Sequence, residues 1–226
     1  DVLSIIGPSG GGKSTLLRAL AEELSHDARV VVATSTKMYV PDWCPVVLSA
    51  SPDDVRAALS EAPIVCAGSI HVPTGKLAEP RAAFSDLVRL ADYVLVEADG
   101  SHGLPLKAPN EKEPYLLGGE SLVIAMAGMS GLQRPIAEAA HRAERYAALV
   151  HKTPLDTATP EDVAKVLESN DGLHKRVDSR FVVVLNQCDT PERTRLAQEC
   201  AAALQAPCIL TRLEADPSWW LDGRED

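Results

Sequence analysis

The sequence contains few aromatic residues, no long apolar run and no excess of positive charge. Phe, Trp and Tyr make up 4% of the 226 residues. No apolar run reaches the ~20 residues that a transmembrane helix requires, and no signal peptide is visible. The formal net charge of −10 repels phosphate backbones and anionic lipid, so neither nucleic acid nor a membrane is expected as a partner. We therefore expect a cytoplasmic protein in which any phosphate-binding site is local.

The cysteines and histidines lack the spacings that are typical of metal or redox sites. The five cysteines are scattered, odd in number and without a Cys-x-x-Cys pair. We interpret them as reduced thiols in a reducing cytoplasm. None of the histidines stands in an i, i+4 or His-x-His pair, so no bound metal other than Mg²⁺ is predicted.

Short apolar runs alternate with amphipathic segments along the chain. The apolar runs are continuous and β-branched, as in strands that are covered on both faces, and lie at 2–6, 29–34, 63–68, 93–99, 121–126 and 180–186. The amphipathic segments predict helices around 14–25, 52–61, 79–91, 134–149, 159–168 and 190–204. Ser51-Pro52 and Thr159-Pro160 are typical helix starts. The alternation predicts a three-layer α/β fold around a doubly wound, mostly parallel sheet.

The order of these segments predicts a single domain over 1–215 and a C-terminal tail over 216–226. The stretch 98–120 is rich in Gly, Pro and charge, which predicts a long loop. Loops of that length inside compact domains are usually functional. In the tail, Trp219 and Trp220 would either dock onto the domain or contact a partner.

The first apolar run leads into GPSGGGKS at 7–14, which matches G-x-x-x-x-G-K-[ST] between a predicted strand and a predicted helix. Its glycines let several N–H groups point at one anion, and the helix adds its partial positive charge. Lys13 would reach the β- and γ-phosphates, and the Ser14 hydroxyl would hold Mg²⁺. The residues predicted to contact the nucleotide here are Ser9, Gly10, Gly11, Gly12, Lys13, Ser14 and Thr15. The motif predicts a fold of the P-loop NTPase type that binds a nucleoside triphosphate.

A second short motif, MSGLQR at 129–134, faintly resembles the LSGGQ signature of transporter-type ATPases. In those ATPases the signature precedes the acidic strand, whereas here it follows the acidic strand at 93–97. We therefore interpret the similarity as accidental.

Two further strand ends carry residues suited to a triphosphate site. Glu97 and Asp99 follow an apolar run, where either could hold Mg²⁺ through water or position the attacking water. Gly100 could give a backbone N–H to the γ-phosphate.

The TSTK sequence at 34–37 could sense that phosphate, with a hydroxyl of Thr34 or Thr36 completing the Mg²⁺ shell. Lys37 and, in the long loop, Lys107 are further candidate contacts to phosphate or to a partner.

The late strand ends in VVVLNQCD at 182–189, which is typical of a guanine site. The Asp189 carboxylate would accept hydrogen bonds from N1–H and the exocyclic amine, and the Asn186 amide would meet the N7 and O6 edge. Adenine presents the opposite donor pattern and would leave the carboxylate unpaired. Gln187 replaces the lysine of the familiar Asn-Lys-x-Asp form, so the stem over the base is shorter and uncharged. The motif predicts a preference for GTP over ATP, and the change to Gln187 predicts either weaker affinity or a relaxed choice of base.

Together these motifs resemble the YqeC family of accessory proteins of selenium-dependent molybdenum hydroxylases. The resemblance extends over nearly all of the chain and rests on the glycine-rich loop, TSTK, VEADGSHGLPLKAPNEKEP at 96–114, HRAE at 141–144 and VVVLNQCD. It implies a place in the nucleotide-binding class of the nickel-insertion GTPases of urease and hydrogenase, whose Glu-x-x-Gly motif matches Glu97 to Gly100. It also implies a client, a molybdenum hydroxylase or one of its maturation factors.

Three functions are compatible with the sequence. The first is a Mg²⁺-dependent NTP hydrolase, more a GTPase than an ATPase, whose intrinsic turnover is slow because no arginine finger can be assigned. The second is a small-molecule kinase or ligase, similar in fold to dethiobiotin synthetase, in which 98–120 and 69–76 enclose an acceptor. The third is a non-catalytic, nucleotide-gated scaffold with the tail tryptophans as partner anchors. The sequence also allows a homodimer.

Overall fold

A computed structural model of the chain describes residues 1–48, 51–98 and 103–213, which form an α/β structure around a mostly parallel sheet. The strands are β1 (Val2–Ile6), β2 (Val30–Thr34), β3 (Lys37–Met38), β4 (Val46–Leu48), β5 (Ile64–His71), β6 (Lys76–Ala78), β7 (Tyr93–Glu97), β8 (Leu106–Lys107), β9 (Leu122–Gly128), β10 (Ala140–His141), β11 (Arg180–Asn186) and β12 (Cys208–Leu210). The helices are α1 (Lys13–Leu24), α2 (Pro52–Glu61), α3 (Phe84–Leu90), α4 (Ile136–Ala139), α5 (Ala143–Val150), α6 (Pro160–Glu168) and α7 (Pro191–Ala203).

Within the described ranges the main sheet has ten strands, whose order begins β12-β11-β9-β1-β7-β2-β5. All neighbours in that series are parallel, and β4 also pairs with β5 in parallel. Beyond β5, β6 and β3 extend the sheet in antiparallel fashion. Strands β8 and β10 form a separate parallel pair. The α/β class with a mostly parallel sheet is therefore confirmed.

Alternate side chains of each central strand enter different hydrophobic clusters, because successive residues of a strand point to opposite faces. In β7, Val94 and Val96 join a large cluster that also contains residues of α2 to α7. Leu95 joins a second cluster that contains Leu16 and Leu17 of α1. Every residue of β2 is buried. Continuous apolar runs thus form strands that are covered on both faces.

The sequence signals for helix starts at α2 and α6 are confirmed as capping boxes. The Ser51 hydroxyl accepts a hydrogen bond from the Asp54 N–H at 3.2 Å, and the Asp54 carboxylate accepts one from the Ser51 N–H at 3.0 Å. Thr159 and Asp162 make the same reciprocal pair at α6. Each pair satisfies two backbone donors at a helix end.

The helix predicted over 134–149 is wrong, because the structure divides it. Helix α4 ends at Ala139, β10 pairs with β8, and Arg142 has the left-handed φ of +60° that turns the chain into α5. The loop predicted over 98–120 likewise contains β8, and the helix predicted over 79–91 is confined to α3. A strand of two or three residues has no readable periodicity, so six short strands were not predicted: β3, β4, β6, β8, β10 and β12.

Candidate functional site

The glycine-rich loop lies between β1 and α1, at the carboxyl edge of the sheet. Helix α1 begins at Lys13, and Gly12 precedes it with a left-handed φ of +96°. A Cβ at position 12 would collide with the Asn186 side-chain nitrogen. Glycine is therefore required here for both backbone conformation and space. The end of β11 therefore lies against the loop through the Asn186 side chain.

A buried carboxylate from β7 meets the start of α1. Parallel pairing places Glu97 beside Ile5, one residue before the end of β1. The Ser14 hydroxyl donates to Glu97 Oε2 at 2.8 Å, and Lys13 Nζ lies 3.9 Å from Glu97 Oε1. Lys13 and Glu97 are 1% and 5% exposed, and Lys13 Nζ also donates to the Gly7 carbonyl at 3.0 Å. An ammonium, a hydroxyl and a carboxylate thus converge at the loop.

The end of β2 is attached to the same acid. The Thr34 hydroxyl donates to the Glu97 carbonyl at 2.8 Å and accepts from the Thr36 N–H at 3.1 Å. The Thr36 hydroxyl oxygen is buried and has no hydrogen-bond partner among the described residues. Buried polar atoms are normally paired, so this oxygen is a candidate for an added ligand. Lys37 lies exposed on β3.

The end of β11 holds the glycine-rich loop in place. Asn186 is 1% exposed, and its side-chain nitrogen donates to the Gly11 carbonyl at 2.9 Å. Its side-chain oxygen accepts from the Thr211 hydroxyl at 3.0 Å and from the Leu213 N–H at 2.8 Å. Asp189 lies nearer the surface, where its carboxylate accepts from Arg193 at 2.7 Å. Of the two predicted base contacts, the structure brings only Asn186 into direct contact with the loop.

The segment that follows residue 102 lies across the glycine-rich loop. The Leu104 carbonyl accepts from the Gly10 N–H at 3.2 Å, and the Pro105 carbonyl accepts from the Gly128 N–H at 2.9 Å. A Cβ at Gly10 would collide with the Gly103 carbonyl. Residues 103–105 of the long loop are therefore packed directly on the glycines at 10 and 128.

A buried charge network anchors this segment. Lys107 Nζ lies 3.1 Å from Glu113 Oε2, and the Arg142 guanidinium donates to both Glu113 oxygens at 2.7 and 3.0 Å. Arg142 also donates to the Ala108 carbonyl at 3.0 Å. Burial would by itself raise the pKa of Glu113, but the hydrogen bonds from Arg142 and the charge of Lys107 hold that pKa below its ordinary 4.5. Lys107, a predicted phosphate or partner contact, thus belongs to a network that joins two of the sequence motifs.

Replacing Glu113 by alanine should destabilise the protein by about 3 kcal/mol at neutral pH, because two cations lose the carboxylate that joins them. Because the folded pKa of Glu113 is depressed, its contribution is present above pH 4.5 and is lost as the pH falls through the folded value. Chemical denaturation at neutral and acidic pH measures both effects. Glu111→Ala is the matched control, since Glu111 is exposed. An equal effect of the two variants would contradict the assignment.

Several predicted residues lie outside the described part of the chain, namely Asp99, Gly100, Trp219 and Trp220. Other contacts were missed by sequence reasoning, because they join distant parts of the chain. Ser130 lies in the MSGLQR motif that was interpreted as accidental, yet its hydroxyl donates to the Gln187 side chain at 2.6 Å. The sequence separation of 57 residues gives no local signal for such a contact.

Comparisons with known proteins agree on one family. The family model described as YqeC protein matches residues 3–144. A protein of Escherichia coli (strain K12), named Uncharacterized protein YqeC, is 34% identical over 201 residues, which cover 83% of this chain and 77% of the relative. None of the helices in the described ranges is long and apolar enough to cross a bilayer.

Proposed function

The chain belongs to the YqeC family, and from its site we propose that it is a P-loop NTPase that binds and hydrolyses a Mg²⁺-bound nucleoside triphosphate, with GTP preferred to ATP. The observation that carries this proposal is the convergence of Lys13, Ser14 and Glu97 at the glycine-rich loop, with distances of 2.8 and 3.9 Å to the carboxylate. A helix N-terminus that follows a glycine-rich turn favours the binding of an anion.

The donor set suits Mg²⁺, which prefers oxygen ligands. The Ser14 hydroxyl, the Glu97 carboxylate and the unpartnered Thr36 hydroxyl supply such oxygens at one edge of the sheet. We propose that Ser14 and Thr36 hold the ion and that Glu97 contacts it through water. Mg²⁺ would supply charge neutralisation at the β- and γ-phosphates. Asp99, outside the described residues, remains a predicted further ligand.

Each residue then has a defined role in hydrolysis. On nucleotide binding, the Lys13 ammonium would replace its hydrogen bond to the Gly7 carbonyl with contacts to phosphate oxygens. The loss of side-chain entropy would be small, because the ammonium is already held at the loop. Glu97 would orient a water molecule for attack on the γ-phosphorus. The water oxygen would bond to the γ-phosphorus as the bond from that phosphorus to the bridging oxygen breaks. The nucleoside diphosphate would leave with the electron pair of that bond, and the water would lose one proton to the inorganic phosphate or to solvent. The TSTK segment, bound to the Glu97 carbonyl through Thr34, would report the loss of the γ-phosphate.

The client proposed for this switch is a selenium-dependent molybdenum hydroxylase or one of its maturation factors, as the family resemblance implies. Binding of the client would complete a site to which no arginine finger can be assigned from the sequence. Hydrolysis should therefore accelerate when purified client is added. A metabolite that accelerates turnover and is itself phosphorylated would instead favour the kinase or ligase function.

Asp189→Asn should abolish the preference for GTP over ATP, because an amide presents a donor where the carboxylate accepted from guanine. The expected loss of selectivity is about tenfold or more. Calorimetric titration with Mg²⁺-GTP and Mg²⁺-ATP measures it. Glu192→Gln, the same chemical change at an exposed position three residues away, should leave both affinities unchanged. If the wild type binds ATP more tightly than GTP, the base assignment is wrong.

A further inference from the structure

Both the nitrogen and the oxygen of the Gln187 side-chain amide are hydrogen-bonded to other parts of the protein. Its nitrogen donates to the Gly10 carbonyl at 2.8 Å. Its oxygen accepts from the Ser130 hydroxyl at 2.6 Å and from the Ser130 N–H at 3.3 Å. The side chain therefore links the phosphate loop to the turn at Met129–Gly131, which directly follows β9.

The backbone around Gln187 is built to permit this link. Gln187 has a φ of +67°, which residues with a Cβ rarely adopt unless the surrounding structure imposes it. Gly128 supplies the space, because a Cβ at that position would collide with the Gln187 side-chain oxygen. A strained residue and a required glycine thus meet at one side chain. Such a combination points to a defined role rather than to an incidental surface contact.

Gln187 and Asn186 hold two successive carbonyls of the loop. Asn186 binds the Gly11 carbonyl at 2.9 Å, next to the Gly10 carbonyl held by Gln187. In a planar trans peptide the carbonyl and the following N–H point in opposite directions. Fixing both carbonyls on the β11 side therefore points the N–H groups of Gly11 and Gly12 away from that side. The Gly11 N–H donates to the Pro8 carbonyl, three residues earlier, at 3.1 Å within the 3₁₀ turn Ser9–Gly11.

We propose that Gln187 is a positioning residue of the phosphate loop, which fixes the Gly10 peptide by tying it to Ser130. The inference rests on the proposed function. It assigns Gln187 to the phosphate-binding part of the site, whereas the sequence motif predicted that its side chain lies over the guanine base. The turn at Met129–Gly131 thereby becomes part of the nucleotide site. Gln187 acts through the loop, so its removal should weaken the binding of any triphosphate, whichever base that triphosphate carries.

The test compares three ligands in calorimetric titrations with Mg²⁺: GTP, ATP and inorganic triphosphate. Gln187→Glu cannot donate to the Gly10 carbonyl and adds a negative charge beside the loop, and we expect it to lower all three affinities about tenfold or more. Gln187→Ala removes the link without adding charge and should lower them in the same uniform way. Gln133→Glu, at an exposed glutamine that also has positive φ, is the matched control and should change nothing.

A double-mutant cycle with Ser130→Ala separates a specific link from general destabilisation. If the link is real, Ser130→Ala weakens binding by itself, and the double variant Ser130→Ala/Gln187→Ala loses no more affinity than Gln187→Ala. Additive losses would overturn the inference, as would a loss confined to GTP and ATP with inorganic triphosphate unaffected. Equal binding by wild type and Gln187→Ala would overturn the inference alone. A wild-type protein that binds none of the three ligands would overturn the proposed function and this inference together.

Discussion

Replacement of Lys13 by alanine should reduce the affinity for Mg²⁺-triphosphate by about 100-fold or more, the largest effect expected from a single substitution. The Lys13 side chain is 1% exposed, and its ammonium group lies between the Gly7 carbonyl and Glu97. A charge-assisted contact to phosphate in such a desolvated position contributes about 3 kcal/mol, which corresponds to roughly 100-fold in affinity. Calorimetric titration with Mg²⁺-GTP measures the loss directly.

Two further variants separate the charge of Lys13 from its packing. Lys13→Met keeps most of the buried volume and should bind as weakly as Lys13→Ala. Lys165→Ala removes an exposed lysine from α6 and should bind like wild type. Thermal unfolding establishes that the variants are folded. Near-wild-type affinity in Lys13→Met would contradict the assignment of the ammonium to the phosphates.

Glu97→Gln should lower the rate of triphosphate hydrolysis by about 100-fold while leaving triphosphate binding intact. The amide keeps the shape of the carboxylate, and its oxygen can still accept from the Ser14 hydroxyl, which now lies 2.8 Å from Glu97 Oε2. The substitution removes the carboxylate that we propose orients the attacking water. It also removes a repulsion toward the γ-phosphate, so binding should be unchanged or tighter. Release of phosphate under single-turnover conditions measures the rate.

Glu120→Gln is the matched control for this variant. Glu120 is also a buried acid, 7% exposed, and it also accepts from a serine hydroxyl, that of Ser4 in β1, at 3.2 Å. Ser4 lies in the middle of β1, away from the loop. Glu120→Gln should therefore hydrolyse triphosphate at the wild-type rate. Equal rates for Glu97→Gln and wild type would exclude Glu97 from the reaction.

Much of the fold could be predicted from the sequence, since its long elements have strong local signals. The runs at 2–6 and 180–186 match β1 and β11, and the capping sequences match the starts of α2 and α6. The helix predicted over 134–149 failed because apolar periodicity continues through Arg142, whereas the backbone there takes a left-handed turn. The pairing of β10 with β8, about 34 residues earlier, imposes that turn, and no local pattern encodes such a partner.

The site was predictable only in part, for a similar reason. The loop at 7–14 and Glu97 are adjacent to strand ends, so their meeting follows once β1 and β7 are neighbours. The role of Gln187 does not follow from its place in an Asn-Gln-x-Asp pattern, because hydrogen bonds to Gly10 and Ser130 decide it. Likewise, the sequence around Lys107 predicts a loop and the sequence around Arg142 predicts a helix, with no sign that the two are in contact. Their shared carboxylate, Glu113, makes them one network.

The sequence by itself determined the class of the fold, the position of the glycine turn and the residue types available to an anion, because each depends on neighbours within a few positions. Only the tertiary structure decided which strand ends meet. It placed Glu97 within 2.8 Å of the Ser14 hydroxyl and bound Asn186 and Gln187 to the loop carbonyls. These contacts depend on the order of the strands in the sheet. That order is set by packing both faces of the whole sheet into the two hydrophobic clusters, and no short segment of the sequence encodes it.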